Sequence, residues 1–486
     1  MPPLPRRRAD ASSRTVLVIV CAGVILASLD LFIVNVALPD MARELRVSNL
    51  GDLSWVLNAY AIVYAALLVL FGRLSESRRR ENGFLLGVLI FTAASAACGA
   101  ASDLVMLVAF RVIQAAGAAL LTPTSLSLVL ATTAPERRHG AVRAWTAVGG
   151  LAAALGPVIG GLLVAASWRW VFLVNVPVGL AALVIGWWRL PHVPGHPGPR
   201  PDALAAVLVT AGVSALSLGL VKGNDWGWGS AATIGCLSGA VILLGVFALH
   251  CARHRNPLID GRLFTSRMFT GSSIVAIVFS VAFGAMLLSR VLFAQDVWGW
   301  SALVTGLSIA PGPLMVPLFS FLVAGRLIKR FGTGPVIAAG SAIFAAGAAW
   351  WALDIGIAPD YVGEALGGML LTGIGVGLTL PTLMGAATSA LPPHAFATGS
   401  AVVNMLRQVG LAIGVSALVA VLGTPHGASA TLAAYRHGWE MVALASALAA
   451  LCGGVLLWQR PRPRRRAASV APDRAGTAES APAAQY

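Results

Sequence analysis

The sequence predicts an all-α integral membrane protein: fourteen transmembrane helices, arranged as two six-helix halves with two inserted central helices between them. Three observations predict it. Hydrophobic residues make up 57% of the chain and charged residues 11%, with a mean hydropathy of +0.81, whereas a soluble domain carries about 25% charged residues. Apolar runs of about 20 residues, the length that spans a bilayer, recur from end to end. Finally, the chain repeats itself. GRLSESRRRENGFLLG, from Gly72 to Gly87, matches GRLIKRFGTGPVIAAG, from Gly325 to Gly340, and GAALLTPTSLS from Gly117 matches GVGLTLPTLMG from Gly375, with Pro123 and Pro381 in register.

The first half is read as spans Thr15–Leu38, Leu53–Phe71, Gly83–Ala101, Leu104–Leu130, Ala141–Ala166 and Trp170–Trp188. The two inserted spans are Leu204–Val221 and Ala232–Leu249. The second half holds Gly271–Phe293, Ala302–Val323, Pro335–Leu353, Gly363–Ala387, Ala397–Leu422 and Trp439–Trp458. The chain then divides into an N-terminus (1–14), a first half (15–188), a linker with the extra helices (189–270), a second half (271–458) and a basic tail (459–486) whose Ala/Pro/Ser-rich end reads as disordered. In the linker, Leu258, Leu263 and Phe264 stand among arginines, a pattern fit to lie on the membrane surface. Trp226, Trp228, Trp298 and Trp300 sit at span ends, as an aromatic belt requires.

Charge fixes the orientation. Basic residues cluster in alternate loops: Arg6–Arg8, Arg73 with Arg78–Arg80, Arg137 and Arg138, Arg189, Arg253 and Arg255, Arg326 with Lys329 and Arg330, and Arg460 onward. The other loops hold Arg43, Arg46, Arg169, Lys222 and Arg436. The positive-inside rule then puts both termini in the cytoplasm of a cell-membrane protein. It also accounts for the net charge of +15 without nucleic acid as a partner. Five scattered cysteines and eight histidines in loops or span ends show no disulfide framework or metal spacing. No phosphate loop, nucleophile elbow or zinc helix appears, so an enzyme or ATP-driven pump is not expected and an ion gradient must supply energy. No cofactor is implied. The expected partners are the lipid bilayer, protons and a small molecule, and a monomer is expected.

Gly149–Gly161 reads GGLAAALGPVIGG. On a helix, Gly149, Ala153, Gly156 and Gly160 form one stripe, and Gly150, Ala154, Pro157 and Gly161 the adjacent one. Such a face lets another helix backbone lie close, with a bend at Pro157. It serves plain helix packing or gating. Charges within spans are functional candidates by default. Asp30 is the carboxylate well inside a span; it carries a proton, forms a permanent pair with Arg111 or makes a hydrogen-bonded kink. Asn35 supports the same site or packs. Arg111 and Gln114 present one polar edge, and Arg407 and Gln408 occupy the second half, as proton-relay neighbours or interhelical clamps. Arg290, nearer its span's end, is expected to snorkel, and Glu364 serves either as a second proton carrier or, the favoured reading, as a surface charge at a helix start. The loop with Gly72, Glu76 and Arg80, and its counterpart at Gly325 and Arg326, reads either as a latch between conformations or as positive-inside anchoring.

These motifs together resemble the major facilitator superfamily, specifically its fourteen-span drug:proton antiporters. LDLFIVNVALP (Leu29–Pro39) is similar to that family's first-span signature, GRLSESRRR (Gly72–Arg80) to its loop signature and RVIQAAGAA (Arg111–Ala119) to its fourth-span signature. GGLAAALGPVIGG resembles the fifth-span antiporter signature, and SWRWVFLVNVPVG (Ser167–Gly179) the entry to span six. The resemblance implies a major facilitator fold and proton-coupled export of amphipathic small molecules, such as drugs, antibiotics or natural products, by alternating access. It implies Asp30 as a coupling or substrate-site carboxylate, Arg111 in proton transfer, and Gly156, Pro157, Gly160 and Gly161 at the gating contact. An importer or uniporter of the same fold, or a membrane sensor, are the alternatives. Glu76 stands where the loop signature has Asp, and Arg79 where it has Gly, a position that suggests a positive φ. Span ten has no carboxylate, which points to a neutral or weakly acidic amphiphile rather than a dication.

Overall fold

The computed structural model describes residues 13–77, 79–134, 137–194, 202–389, 391 and 396–457. The N-terminus, the basic tail and the middle of the first linker loop lie outside these residues. Thirteen helices among the described residues are long and apolar enough to cross a membrane, and Arg138–Val164 makes a fourteenth of 27 residues.

In order they are α1 (Ser13–Glu44), α2 (Leu50–Ser77), α3 (Arg80–Gly99), α4 (Leu104–Thr132), α5 (Arg138–Val164) and α6 (Trp170–Arg189). The inserted pair is α7 (Ala203–Trp226) and α8 (Ala231–Arg253). The rest are α9 (Arg267–Val297), α10 (Ala302–Phe331), α11 (Thr333–Asp354), α12 (Tyr361–Ser389), α13 (Phe396–Leu422) and α14 (Ala428–Leu456). Helix starts follow local chemistry. The side chains of Asp103, Asp202, Ser230, Ser266, Ser301 and Asp360 each accept from a backbone N–H of the first turn. In α10, Pro311 and Pro317 interrupt the hydrogen-bond ladder, and a π-turn follows at Phe319–Ala324.

The halves share one packing plan. In the first, α3 packs on α4, α1 on α5, and α2 on α4; in the second, α11 packs on α12, α9 on α13, and α10 on α12. The halves meet along two seams, α2 against α13 and α5 against α10. The α7–α8 hairpin leans on one of them, α7 touching both α2 and α13. At the end of the bundle away from the arginine-rich loops, its last turn clips the two halves. Lys222 pairs with Asp52 at 2.7 Å, Asn49 donates to Asp225 at 2.8 Å, and Asn224 donates to the Ala420 carbonyl at 2.7 Å. The outer face of α8 is bare, with Ile234, Val241 and Ile242 exposed, as a lipid-facing helix requires.

Two expectations change, one in the linker and one in the second half. Leu258 and Leu263 are buried among the helices rather than spread on a membrane surface, and Phe264 packs edge-on against Phe269. Trp298 is 6% exposed and sits inside the second half, not in an interfacial belt, whereas Trp226 and Trp228 are exposed.

Candidate functional site

The two stripes of the Gly149–Gly161 face serve different partners. The first lies on α1: a methyl group on Gly156 would stand 2.8 Å from Phe32 Cβ, and one on Gly160 3.0 Å from the Ile33 carbonyl. Gly149 approaches Val24 in the same way. The second stripe lies on the other half. A methyl on Gly161 would stand 2.6 Å from the Ala302 carbonyl oxygen of α10, and one on Gly306 of α10 would collide with the Pro157 carbonyl oxygen. Only glycine at these places lets the backbones approach so nearly. Gly150, toward the basic end, has open space around it. The seam is thus tight at the end away from the arginine-rich loops.

Asp30 and Arg111 come together as a buried ion pair. Arg111 Nη1 lies 2.5 Å from Asp30 Oδ2, and Gln114 Nε2 donates to Asp30 Oδ1 at 2.9 Å. Arg111 also donates through Nε to the Val56 carbonyl at 3.1 Å and through Nη1 to Gln114 Oε1 at 2.8 Å. Gln114 donates further to Ser95 Oγ, which accepts from Asn175 as well and donates to the Phe172 carbonyl. The Tyr60 ring lies over the guanidinium, 4.0 Å from its centroid to Cζ, and stacks in turn on Tyr64. Asp30, Gln114 and Ser95 are 0% exposed and Arg111 is 1% exposed. The network draws on α1, α2, α3, α4 and α6, so it locks the first half together. A charge pair so enclosed needs its remaining lone pairs and protons satisfied, and Gln114, Val56 and Ser95 do this.

Arg111 also borders a small cavity of about 40 Å³ at the seam, shared with Asn35, Asn58, Leu287, Leu411 and Val415. That is room for a water or two, not for a drug-sized molecule. Asn58 crosses the seam here and donates to Ser416 Oγ of α13 at 3.1 Å.

Asn35 shares the cavity with Arg111, and the remaining sequence candidates stand apart from this cluster. Asn35 donates to the Leu31 carbonyl of its own helix. Arg407 donates to Asn404, one turn back, and Gln408 Oε1 is buried without a hydrogen-bond partner. A methyl group on Gly72 would stand at ordinary contact distance from Pro123, and one on Gly325 would meet open space. Arg80 reaches the Ser127 carbonyl and Arg326 the Leu322 carbonyl, each within its own half. The Glu76 side chain lies outside the described residues. Arg79 has φ −63° and ψ 117°, extended backbone that any residue adopts, so the missing glycine costs the loop nothing. Glu364 Oε2 accepts from the Gly356 N–H at 2.7 Å and so fastens the loop before α12.

Arg290 overturns the expectation of a snorkelling side chain. It is 1% exposed, and its guanidinium lies 4.8 Å from the ring of Trp351, 5.7 Å from Trp298, 5.9 Å from Trp439 and 6.0 Å from Phe293. None of its three nitrogens has a hydrogen-bond partner. The three indole N–H groups point elsewhere, to Ala365, Gly356 and Ser289, which leaves ring faces toward the cation.

Sequence reasoning missed Ser95, Asn175 and Tyr60, since a lone polar residue in an apolar span carries no periodic signal. It also passed over a group at the base of the inserted hairpin, where Asp202, His250 and His254 converge. There the i, i+4 spacing of the histidines was the available clue.

Residues 20–415 match the sequence profile of the Major Facilitator Superfamily. A tetracenomycin C resistance and export protein of Streptomyces glaucescens is 32% identical over 84% of this chain and 74% of its own length. A methylenomycin A resistance protein of Bacillus subtilis is 31% identical over 91% and 93%, and a cephamycin export protein of Amycolatopsis lactamdurans 33% identical over 90% and 91%. Among solved structures, a D-xylose–proton symporter superposes with a TM-score of 0.66 at 13% identity, covering 91% of this chain and 98% of that one, a likeness of fold alone. Twelve helices in two matched halves with an inserted pair, the profile and the relatives converge: the chain belongs to the major facilitator superfamily.

Proposed function

We propose that the chain exports amphipathic small molecules of the antibiotic or natural-product kind from the cytoplasm in exchange for protons, by alternating access between its halves. One observation carries the coupling: the enclosed Asp30 cluster shares Arg111 with the cavity at the seam. Arg111 and Gln114 each hold one Asp30 oxygen, and a proton on the carboxylate cancels the charge that Arg111 pairs with, which weakens that pair. The released guanidinium keeps its charge, and the nearest space for it is the cavity between the halves. Proton binding in the first half is thereby converted into a change of charge at the surface where the halves meet, which favours one of two arrangements.

The relatives' names, resistance and export, support the outward direction. The arginine bias supports cytoplasmic termini, and with that orientation the tight α5–α10 contact lies on the outer side. Within the spans Arg111, Arg290 and Arg407 outnumber the carboxylate Asp30, and span ten has no carboxylate, which supports a neutral or weakly acidic amphiphile over a dication. Everted membrane vesicles with an acidified lumen test the reading. Compounds from an amphiphile panel should collapse the pH gradient with wild type and fail to do so with Asp30→Asn. Equal collapse in both would remove Asp30 from the coupling.

A further inference from the structure

The base of the inserted hairpin holds a side-chain cluster separate from the Asp30 network. Asp202 opens α7 and His250 and His254 close α8, so the antiparallel hairpin brings them together at the basic end. The two histidines are one helical turn apart and share a face. His250 Nε2 lies 2.9 Å from Asp202 Oδ2, and His254 Nδ1 lies 3.7 Å from the same oxygen. The imidazole centroids are 4.9 Å apart, and one ligand atom from each of the three residues falls within 4.8 Å of the others.

We propose that Asp202, His250 and His254 form a site for a divalent transition-metal ion, with Zn²⁺ the best fit, which bridges the two ends of the α7–α8 hairpin. Two imidazoles and a carboxylate, with a fourth position left for water, suit Zn²⁺, whereas Mg²⁺ and Ca²⁺ take oxygen ligands. A His250–Asp202 hydrogen bond accounts for the shorter distance alone. The 3.7 Å approach of His254 is too long for a second one, yet it brings a further ligand nitrogen to the same oxygen. His254 Nδ1 accepts from the Asn256 N–H at 3.2 Å, so it presents the lone pair a metal needs, and the metal displaces that one bond. The carboxylate is already held: Asp202 is 6% exposed, and its Oδ1 accepts from the Ala205 N–H at 3.0 Å, an outer bond of the kind that orients a metal ligand. Arg253 and Arg255 lie next in sequence and repel a cation, so affinity must come from coordination and not from the surrounding field.

The test uses purified full-length protein carrying no histidine tag, with Zn²⁺ titrated against a chromogenic chelator. Wild type should bind one Zn²⁺ per chain in the micromolar range or tighter. His250→Gln and His254→Gln should each weaken this by about tenfold or more. Asp202→Asn, whose amide oxygen still caps α7, should do the same. Zn²⁺ should raise the unfolding temperature of wild type only, while proton-linked export by the variants stays at the wild-type level. Absence of binding up to about 100 µM in wild type, or wild-type affinity in all three variants, would overturn the proposal. If the variants fail to fold, protection of His250 and His254 from an imidazole-modifying reagent by Zn²⁺ in wild type replaces them, and unprotected histidines overturn it.

Discussion

Two arginines are buried to the same depth in the two halves and are held by opposite means. Arg111 makes three hydrogen bonds and faces a carboxylate; Arg290 makes none and faces four aromatic rings. The first is a charge neutralised by another charge, so its state depends on whether Asp30 carries a proton. The second is a charge stabilised by ring quadrupoles, which no proton can alter. The packing plan was duplicated between the halves, and the titratable chemistry was not.

A matched pair of substitutions probes this difference most strongly. Arg111→Met leaves Asp30 buried without a counter-charge and should cost about 3–5 kcal/mol of stability, with proton-linked export at background. Arg290→Met removes a buried cation that leaves no partner behind. The lost ring contacts, about 2 kcal/mol, are offset by the desolvation no longer suffered, so unfolding temperature and export should stay near wild type. Loss of export in Arg290→Met with stability intact would show a second working cation and break the comparison. Asp30→Asn should have a smaller stability effect than Arg111→Met, about 1.5–3 kcal/mol, because the amide oxygen still accepts from Arg111, while the charge and the acceptor for Gln114 are lost. Chemical unfolding in detergent, read beside the vesicle assay, separates that loss from the loss of coupling. Tyr60→Phe should change least. The Tyr60 hydroxyl is buried without a partner and the ring alone lies over Arg111, so export should hold within about twofold and stability within about 0.5 kcal/mol.

The fold was legible because a bilayer imposes length and polarity on every span. The Gly149–Gly161 face was legible as a close-contact surface, since small residues at helical spacing have that one physical use. That its two stripes part company, one for α1 and one for α10, needed the tertiary arrangement. Asp30, Arg111 and Gln114 stood out as charged or polar groups where such groups are costly. Ser95 and Asn175 did not, because a single small polar residue in an apolar span is inexpensive and common. Arg290 was misjudged by its distance from the span's end. The π-turn at Phe293–Val297 folds Trp298 back over it, so nearness to an end did not mean nearness to water.

The hairpin makes the two seams unequal. Along the α2–α13 seam, α7 stands as a strap fastened to both sides by Lys222, Asn224 and Asp225. Among the described residues the α5–α10 seam has no such strap, and there the halves are held by the closeness of glycines to carbonyls. Parting the α2–α13 seam at this end therefore costs an ion pair and two hydrogen bonds, whereas parting α5 from α10 asks two bare backbones to slide and no charge to lose its partner.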